Sequence, residues 1–431
     1  MSDNLQNREA ERTLLGAVLV DNDAMPKVAG ILAPKHFALE SHRLVFEAML
    51  HLFERNDPID LVTLKNELGA DLPRTGGPAF LGALMDGVPR LTNPEHWARL
   101  VLEKARRRAA VTLAQRLIEE AQSDDVETDA LLDQHQAAMA RLQEASGAAV
   151  QTLAQLLPDS LRELEASLTA PLGITGVPTG INELDRLTGG LRPGSLFVLA
   201  ARPARGKSSL CTQAAIYAAS KGKRVLAFSM EMPPVEVAGR MLLQDAGLDR
   251  RELRTDRSGE SWEKVARAVT RLGTLPIRFD RRESPTLGQI RASCRQEQSA
   301  GGLDLVIVDY LQRCSMNPKL EPWLAVGEVA KGLKSLARAL NVPVVAACQL
   351  SAEAEEKRPT LAHLAQSRQI IGAEADVVAF LHPERPDDWR SEDCPRISLI
   401  VDKHRHGATA SIPLYFEKKS TRFISAITAA A

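Results

Sequence analysis

The residues best suited to chemistry lie in one short loop, Arg202-Pro203-Ala204-Arg205-Gly206-Lys207-Ser208-Ser209. It follows the apolar run SLFVLAA and leads into a stretch of helical patterning. In that context the loop's backbone N–H groups and the positive end of the helix cradle phosphate oxygens. Lys207 then reaches the terminal phosphates of a nucleotide, and the Ser208 hydroxyl is a ligand for Mg²⁺. Gly-Lys-Ser by itself is a weak signal; the strand before it and the helix after it supply the specificity. The first glycine of the usual pattern is replaced by Ala201, so that position must avoid positive φ.

Three further apolar runs deliver a polar residue where each ends. RVLAFSM leads into Glu231, LDLVIVD ends in Asp309, and VPVVAACQ ends in Gln349. At the carboxyl edge of an open α/β sheet, a glutamate beside a phosphate loop can polarise an attacking water, and an aspartate can hold Mg²⁺ through water. Each has an ordinary alternative. Glu231 can be a solvated strand-end charge, Asp309 a helix cap, and Gln349 a hydrogen-bonded structural amide or a sensor of the γ-phosphate. Near the end of the chain, ISLIVDKHRHGATASIPLYF reads as a hairpin turning at Lys403-His404-Arg405-His406-Gly407. Strand alternation puts Lys403 and Arg405 on one side, pointing off the tip, either as solvated charges or within reach of a phosphate on a neighbouring subunit. His404 and His406 have no Cys or His at ligand spacing and are not read as a metal site.

These residues need a sheet to position them. From Gly173 onward short β-rich runs alternate with helical stretches: 195–201, 224–230, 303–309, 342–349, 376–381, then the pair 397–403 and 410–416. This predicts a mostly parallel sheet covered by helices. From Glu9 to about Ser146 the apolar spacing is instead helical, as in Leu14-Leu15-Val18-Leu19 and Leu44-Val45-Met49-Leu52-Phe53. Asp60 is the expected N-cap of a helix from Leu61. Residues 97–120 and 126–145 predict an antiparallel helical pair around the acidic turn Ser123-Asp124-Asp125, with Arg106-Arg107-Arg108 as a solvated face. The expected division is a helical domain over 1–146, a linker over 147–172 and an α/β domain over 173–431. In the linker, Leu157, Leu161, Leu164 and Leu168 form one apolar stripe on a helix too small to bury it alone. It must dock on its own neighbouring domain or on another subunit.

The bulk properties fit this division. A chain of 431 residues supports two or three domains, and a 44% hydrophobic composition is ordinary for one that folds in water. No apolar run approaches the roughly 20 residues of a membrane span, and the polar N-terminus is not a secretory signal, so the expected location is cytoplasmic. Five widely spaced cysteines make neither a disulfide framework nor a zinc ribbon. With a net charge of −1, any contact with nucleic acid must be local.

Taken together, the chain resembles the hexameric DnaB-type replicative DNA helicases of bacteria. The matching stretches are EAERTLLGAVL, HRLVFEAML and PIDLVTLKNEL, then GVPTGINELDRLTGGLRPG, LAARPARGKSS, FSMEMPPVEVAGRM, LVIVDYLQ, NVPVVAACQLS, EADVVAF and DKHRHG followed by STRF. The resemblance implies a helical N-terminal collar, a linker helix packed on the adjacent subunit and a recombinase-like ATPase domain. It also implies a homohexamer that translocates on single-stranded DNA, uses ATP and Mg²⁺, unwinds duplex at the replication fork, and works with a primase and a loader. On this basis Lys207 and Ser208 bind nucleotide and Mg²⁺, Glu231 is the catalytic carboxylate, Asp309 the Mg²⁺ aspartate and Gln349 the sensor, while Lys403 and Arg405 act in trans. Ala201 is usual at its position in that family, and Arg205 stands where methionine is common. The larger departure is His363-Leu364-Ala365-Gln366-Ser367-Arg368, where the family has Asp-Leu-Arg-Glu-Ser-Gly contacting DNA. Arg368, with Gln366 beside it, is the expected replacement for the missing cation. That departure also leaves open a DnaB-like ATPase with an altered DNA grip, acting as an assembly platform or regulator. A repair motor of the same core would lack the collar.

Overall fold

A computed structural model of the chain describes residues 5–86, 93–123, 152–314, 320–350, 358–364, 368–385 and 388–426, with scattered positions between 128 and 142. The chain divides into two compact units, Met1–Val150 and Gln151–Ala431.

The described part of the first unit is helical. Its main helices are Arg8–Val20, Glu40–Glu54, Leu61–Leu68, Gly77–Met85 and Pro94–Ala121. Leu14, Val18, Val45, Phe46, Met49 and Leu64 are fully buried, recurring at the three-and-four spacing that puts them on one face of each helix. Asp60 caps its helix as expected, accepting from Val62 N at 2.8 Å and Thr63 N at 2.9 Å. Two of the three consecutive arginines are not the solvated face that charge patterning suggests. Arg107 pairs with Glu103 in solvent, but Arg106 donates to Leu142 O at 3.2 Å and Arg108 donates to Leu5 O at 2.9 Å and to His36 O. A long cationic side chain lies along its own helix and can satisfy carbonyls at the ends of neighbouring segments, which charge counting does not reveal. Asp124, Asp125 and much of the helix expected over 126–145 fall outside the described residues.

The second unit begins with the helix Leu153–Thr169 and is built on one sheet. The strands are β1 (Leu196–Ala201), β2 (Val225–Ser229), β3 (Ile277–Asp280), β4 (Leu305–Asp309), β5 (Val344–Gln349), β6 (Val377–Pro383), β7 (Arg396–His404), β8 (Ala410–Glu417) and β9 (Arg422–Ser425). Their order among the described residues is β3-β2-β4-β5-β1-β6-β7-β8-β9. The first six in that order are parallel and the last three join antiparallel. Alternate residues of the central strands face opposite layers. Val198, Val306 and Ala346 lie in one apolar cluster, and Leu199, Ile307 and Val345 lie in the other. Both faces are covered, so the strands read as unbroken apolar runs.

Two strands have no counterpart in the sequence reading. β3 is a short edge strand, IRFD, with three of its four residues partly or fully exposed, so it lacks the apolar run that marks the buried strands. β9 is four residues long and depends on its pairing with β8.

Candidate active site

Register brings the chemical residues to one edge. Ala201 at the end of β1 lies opposite Gln349 at the end of β5, and Ser229 at the end of β2 lies opposite Asp309 at the end of β4. Glu231 follows two residues beyond β2, anchored by Met230 N donating to Asp309 O at 2.9 Å. A cleft of about 380 Å³ opens there, walled by the phosphate-type loop, Glu231, Arg240 and Gln349. Parallel strands present their carboxyl ends together where neighbouring crossovers diverge, which is where such sheets bind ligands.

The loop is shaped by two left-handed residues. Gly206 has φ +82° and Ala204 has φ +57°. A Cβ at Gly206 would stand 2.7 Å from Phe423 Cζ, so the position needs glycine for space as well as for φ. Ala201 is the buried last residue of β1 and is not among the positive-φ positions, in keeping with its side chain. Phe423 belongs to a run of rings: Phe416 lies 4.8 Å from it and Trp389 stacks on Phe416 at 5.1 Å. The Arg205 guanidinium sits 5.0 Å from the Trp389 ring centre, so the arginine at the family's usual methionine position covers an aromatic face. Arg202, Pro203, Ala204 and Gly206 line the cleft with Lys207, Ser208 and Ser209. Ser209 is itself 4% exposed, and its carbonyl accepts from Gln244 Nε2 at 3.1 Å.

Lys207 opens the helix Lys207–Ser220, its ammonium 4.9 Å from the centre of the Tyr310 ring. Asp309 is buried, and its Oδ1 has no hydrogen-bond partner among the described residues. Burial, the largest cause, pushes this carboxyl above its ordinary range; the Ser208 hydroxyl bonded to it and Lys207 pull the other way, and Glu231 adds to the push. An orphaned carboxylate oxygen beside a hydroxyl is a hard-oxygen donor set of the kind Mg²⁺ takes, so these residues fit that ion. Gln349 is fixed through its backbone: its N–H donates to Gln312 Oε1 at 3.4 Å, and its carbonyl accepts from Gln312 Nε2 at 3.3 Å. Neither Gln312 nor Arg240, which faces Asp309 from the helix Pro234–Ala246, was singled out from the sequence. Each is one polar residue in a helical stretch, and only the fold selects it.

Lys403 and Arg405 depart from the sequence reading. They do not point off a hairpin tip. Lys403 Nζ donates to Gly372 O at 2.5 Å and Ala375 O at 2.7 Å, and Arg405 donates to Ala373 O at 2.9 Å and to Asp376 Oδ1 at 3.4 Å. Both are folded against the carboxyl end of the helix Arg368–Glu374, whose free carbonyls attract cations. A register shift between β6 and β7 at Val378/Ala379 leaves Asp402 as an extra residue, and such a bulge re-aims the side chains that follow it. The hairpin is also close to β1 in the sheet, separated from it by β6 alone. Distance from the phosphate-type loop arises along the strands. Val377 at the start of β6 pairs with His404, so Lys403 and Arg405 lie at the amino edge, on the order of 20 Å from the loop along β1.

Ala365, Gln366 and Ser367 fall outside the described residues, as does the side chain of Arg368. The candidate DNA contacts at Gln366 and Arg368 therefore have no structural description. Among the described residues no cluster of His, Cys, Asp and Glu could hold a metal in the manner of a zinc site, and no helix is long and apolar enough to cross a membrane.

Comparison with known proteins covers both units. The profile described as "DnaB-like helicase N terminal domain" matches residues 3–103, and "DnaB-like helicase C terminal domain" matches residues 176–425. The chain is 34% identical to the replicative DNA helicase DnaB of Geobacillus stearothermophilus, over 97% of this chain and 94% of that protein. It is 33% identical to the replicative DNA helicase DnaC of Bacillus subtilis, with the same coverage. Among solved structures, one titled as a DnaB-like replicative helicase and its interactions with primase superposes with a TM-score of 0.76 at 26% identity, covering 97% of this chain and 99% of that one. A second, titled as an ATPase domain, covers 64% of this chain and 99% of its own, with a TM-score of 0.60 at 26% identity.

Proposed function

This chain belongs to the DnaB-like family of replicative DNA helicases, and from that membership we propose how its own residues divide the work. The protein is an ATP-hydrolysing DNA helicase of replication. The loop Arg202–Ser209 binds the nucleotide phosphates, with Lys207 on the terminal ones. Ser208 and Asp309 hold Mg²⁺, which when bound neutralises charge on the phosphates. Glu231 orients the attacking water and takes its proton; Gln349 registers the γ-phosphate. The observation that carries this reading is the convergence of Lys207, Glu231 and Gln349 on one cleft at or beyond the ends of β1, β2 and β5, with Asp309 at the end of β4 bonded to Ser208 of its wall.

Lys403 and Arg405 serve the site of a neighbouring copy. What supports this is their position at the amino edge of the sheet, too far to reach the phosphates bound by their own chain. A head-to-tail ring brings the amino edge of one subunit to the carboxyl edge of the next. Six such subunits form a ring around single-stranded DNA, and the leucine face of the helix Leu153–Thr169 docks on the adjacent subunit. Arg368 and Gln366 grip the DNA backbone in place of the cation missing at Ala365. A primase is a partner by analogy with the solved relative, a loader delivers the ring, and the protein works in the cytoplasm. No observation favours the alternative of an assembly platform that does not unwind.

The test is unwinding of a forked duplex by the purified protein, with the tail of each polarity offered separately. Strand separation that needs ATP, Mg²⁺ and one tail, and that is abolished by Glu231→Gln, is expected. ATP turnover without strand separation on either fork would remove unwinding from this chain.

A further inference from the structure

Asp376 stands at the junction of the hairpin with the strand that leads to the phosphate loop. It is 2% exposed. Its Oδ2 accepts from Lys334 Nζ at 2.6 Å and from Leu196 N, at the start of β1, at 2.8 Å. Its Oδ1 accepts from the Arg405 guanidinium at 3.4 Å, and its backbone carbonyl accepts from Arg405 N at 2.8 Å. One residue therefore holds Arg405 by both backbone and side chain while fixing the first residue of β1.

The tether to the guanidinium is long beside the two bonds on the other oxygen, and the Arg405 side chain remains 47% exposed. Lys334, Arg338 and Arg405 line a cleft of about 470 Å³ on this edge with Asp376 as its carboxylate, so the wall has an excess of positive charge. A free arginine would have to be ordered when it meets a phosphate, and holding it beforehand removes that entropic cost. A carboxylate already satisfied by Lys334 and a backbone N–H holds the guanidinium only weakly. A polyphosphate, carrying more charge and more acceptors, can compete for the open face.

We propose that Asp376 is a positioning residue for Arg405, presenting it at the open amino edge for the nucleotide of the neighbouring subunit. The inference rests on the trans reading of Arg405, and it assigns the carboxylate to the finger rather than to the subunit's own phosphate loop. That distinction is open because Asp376 touches both the finger and β1.

Subunit mixing separates the two roles. In Asp376→Asn rings ATP turnover should fall by about tenfold or more with KM for ATP changed by less than about twofold, the pattern of an interaction made in the transition state. A finger-defective subunit keeps an intact phosphate loop, so co-assembly with Lys207→Ala subunits should restore part of the activity. Co-assembly with Arg405→Ala subunits should restore none, because every finger in those rings is impaired. The reverse pattern, rescue by Arg405→Ala and not by Lys207→Ala, would put the defect in the subunit's own phosphate loop and overturn the proposal, as would unimpaired turnover of Asp376→Asn.

The control mixture of Arg405→Ala with Lys207→Ala tests the underlying reading by itself. If native gels show mixed rings and that control stays inactive, the trans finger is withdrawn and the inference falls with it. If the control works and Asp376→Asn sorts with the phosphate-loop class, only the role of Asp376 is lost. Should Asp376→Asn fail to fold because it leaves the buried Lys334 ammonium, which also donates to Gly194 O at 2.8 Å, without its counter-charge, Asp376→Asn/Lys334→Met removes both charges of the pair and is sorted by the same mixtures.

Discussion

Lys207 and Glu231 face one cleft but should fail in different ways when replaced. Lys207 is 8% exposed and opens the helix behind the loop, whereas Glu231 stands in solvent beyond the end of β2. An ammonium that binds phosphate contributes to ground-state affinity; a carboxylate that orients water contributes only when the bond breaks. Lys207→Ala is therefore expected to weaken nucleotide binding by about tenfold or more, and Glu231→Gln to bind normally and lower kcat by roughly 10² or more. Equilibrium binding of a fluorescent nucleotide, set beside steady-state turnover, checks both, and normal kcat in Glu231→Gln would take that residue out of the mechanism. At this scale residue type was legible in the sequence and direction was not. Arg405 was readable as a cation in a hairpin; its contacts with Ala373 O and Asp376 come from segments about 30 residues earlier, brought near by β6 and β7 pairing.

Elements are held by local devices that the sequence announces well. Asp60 carries the first turn of the helix Leu61–Leu68, and those two backbone bonds keep its carboxyl below the ordinary range. Asp60→Ala should lower stability, read as a fall in the urea midpoint of the N-terminal unit's transition in the full chain. The turn Pro34–His36 behaves differently with pH. His36 Nδ1 accepts from Ala33 N at 3.0 Å, a bond only an unprotonated nitrogen can make, and burial, followed by Lys35 and Arg108, lowers the histidine's pKa. The unfolded chain then binds more protons than the folded one as pH falls through the ordinary histidine range, so stability should fall with it and stay low below the folded pKa. Thermal melts between about pH 7.5 and about 5.5 should show this loss. A shallower loss in His36→Gln is the expected sign that this residue carries part of it, and identical slopes would assign the pH dependence to other groups.

At the scale of the whole molecule, the clearest unfinished surface is the face of the helix Leu153–Thr169. Leu157, Leu161, Leu164 and Leu168 are 55%, 57%, 62% and 85% exposed, so the stripe that the sequence left to either of two partners has no cover among the described residues. Apolar residues in such a row lose the benefit of burial until another surface meets them, at about 25 cal/mol per Å². Leu161→Asp with Leu164→Asp should give species smaller than the parent assembly by light scattering, with the helical content of the chain unchanged by circular dichroism. Parent-sized particles at micromolar concentration would mean that the stripe is not a contact between copies of the chain.

The sequence alone determined what repeats locally or follows from a fixed spacing. The helical period of the first unit, the apolar strands β1, β2, β4, β5 and β6, the loop around Lys207 and the cap at Asp60 all rest on neighbours within a few residues, where backbone geometry leaves little choice. Tertiary structure decided what depends on register and on distant partners. The edge strand β3 lacked an apolar run, the bulge at Asp402 turned Lys403 and Arg405 onto a helix end, and the rings of Phe416 and Phe423 closed over Gly206, with Trp389 stacked on Phe416 from a separate segment. Local pattern fixes which face of an element is apolar. Which residues meet across elements is set by pairing free energies summed over the whole sheet, and no window of neighbouring residues contains that sum.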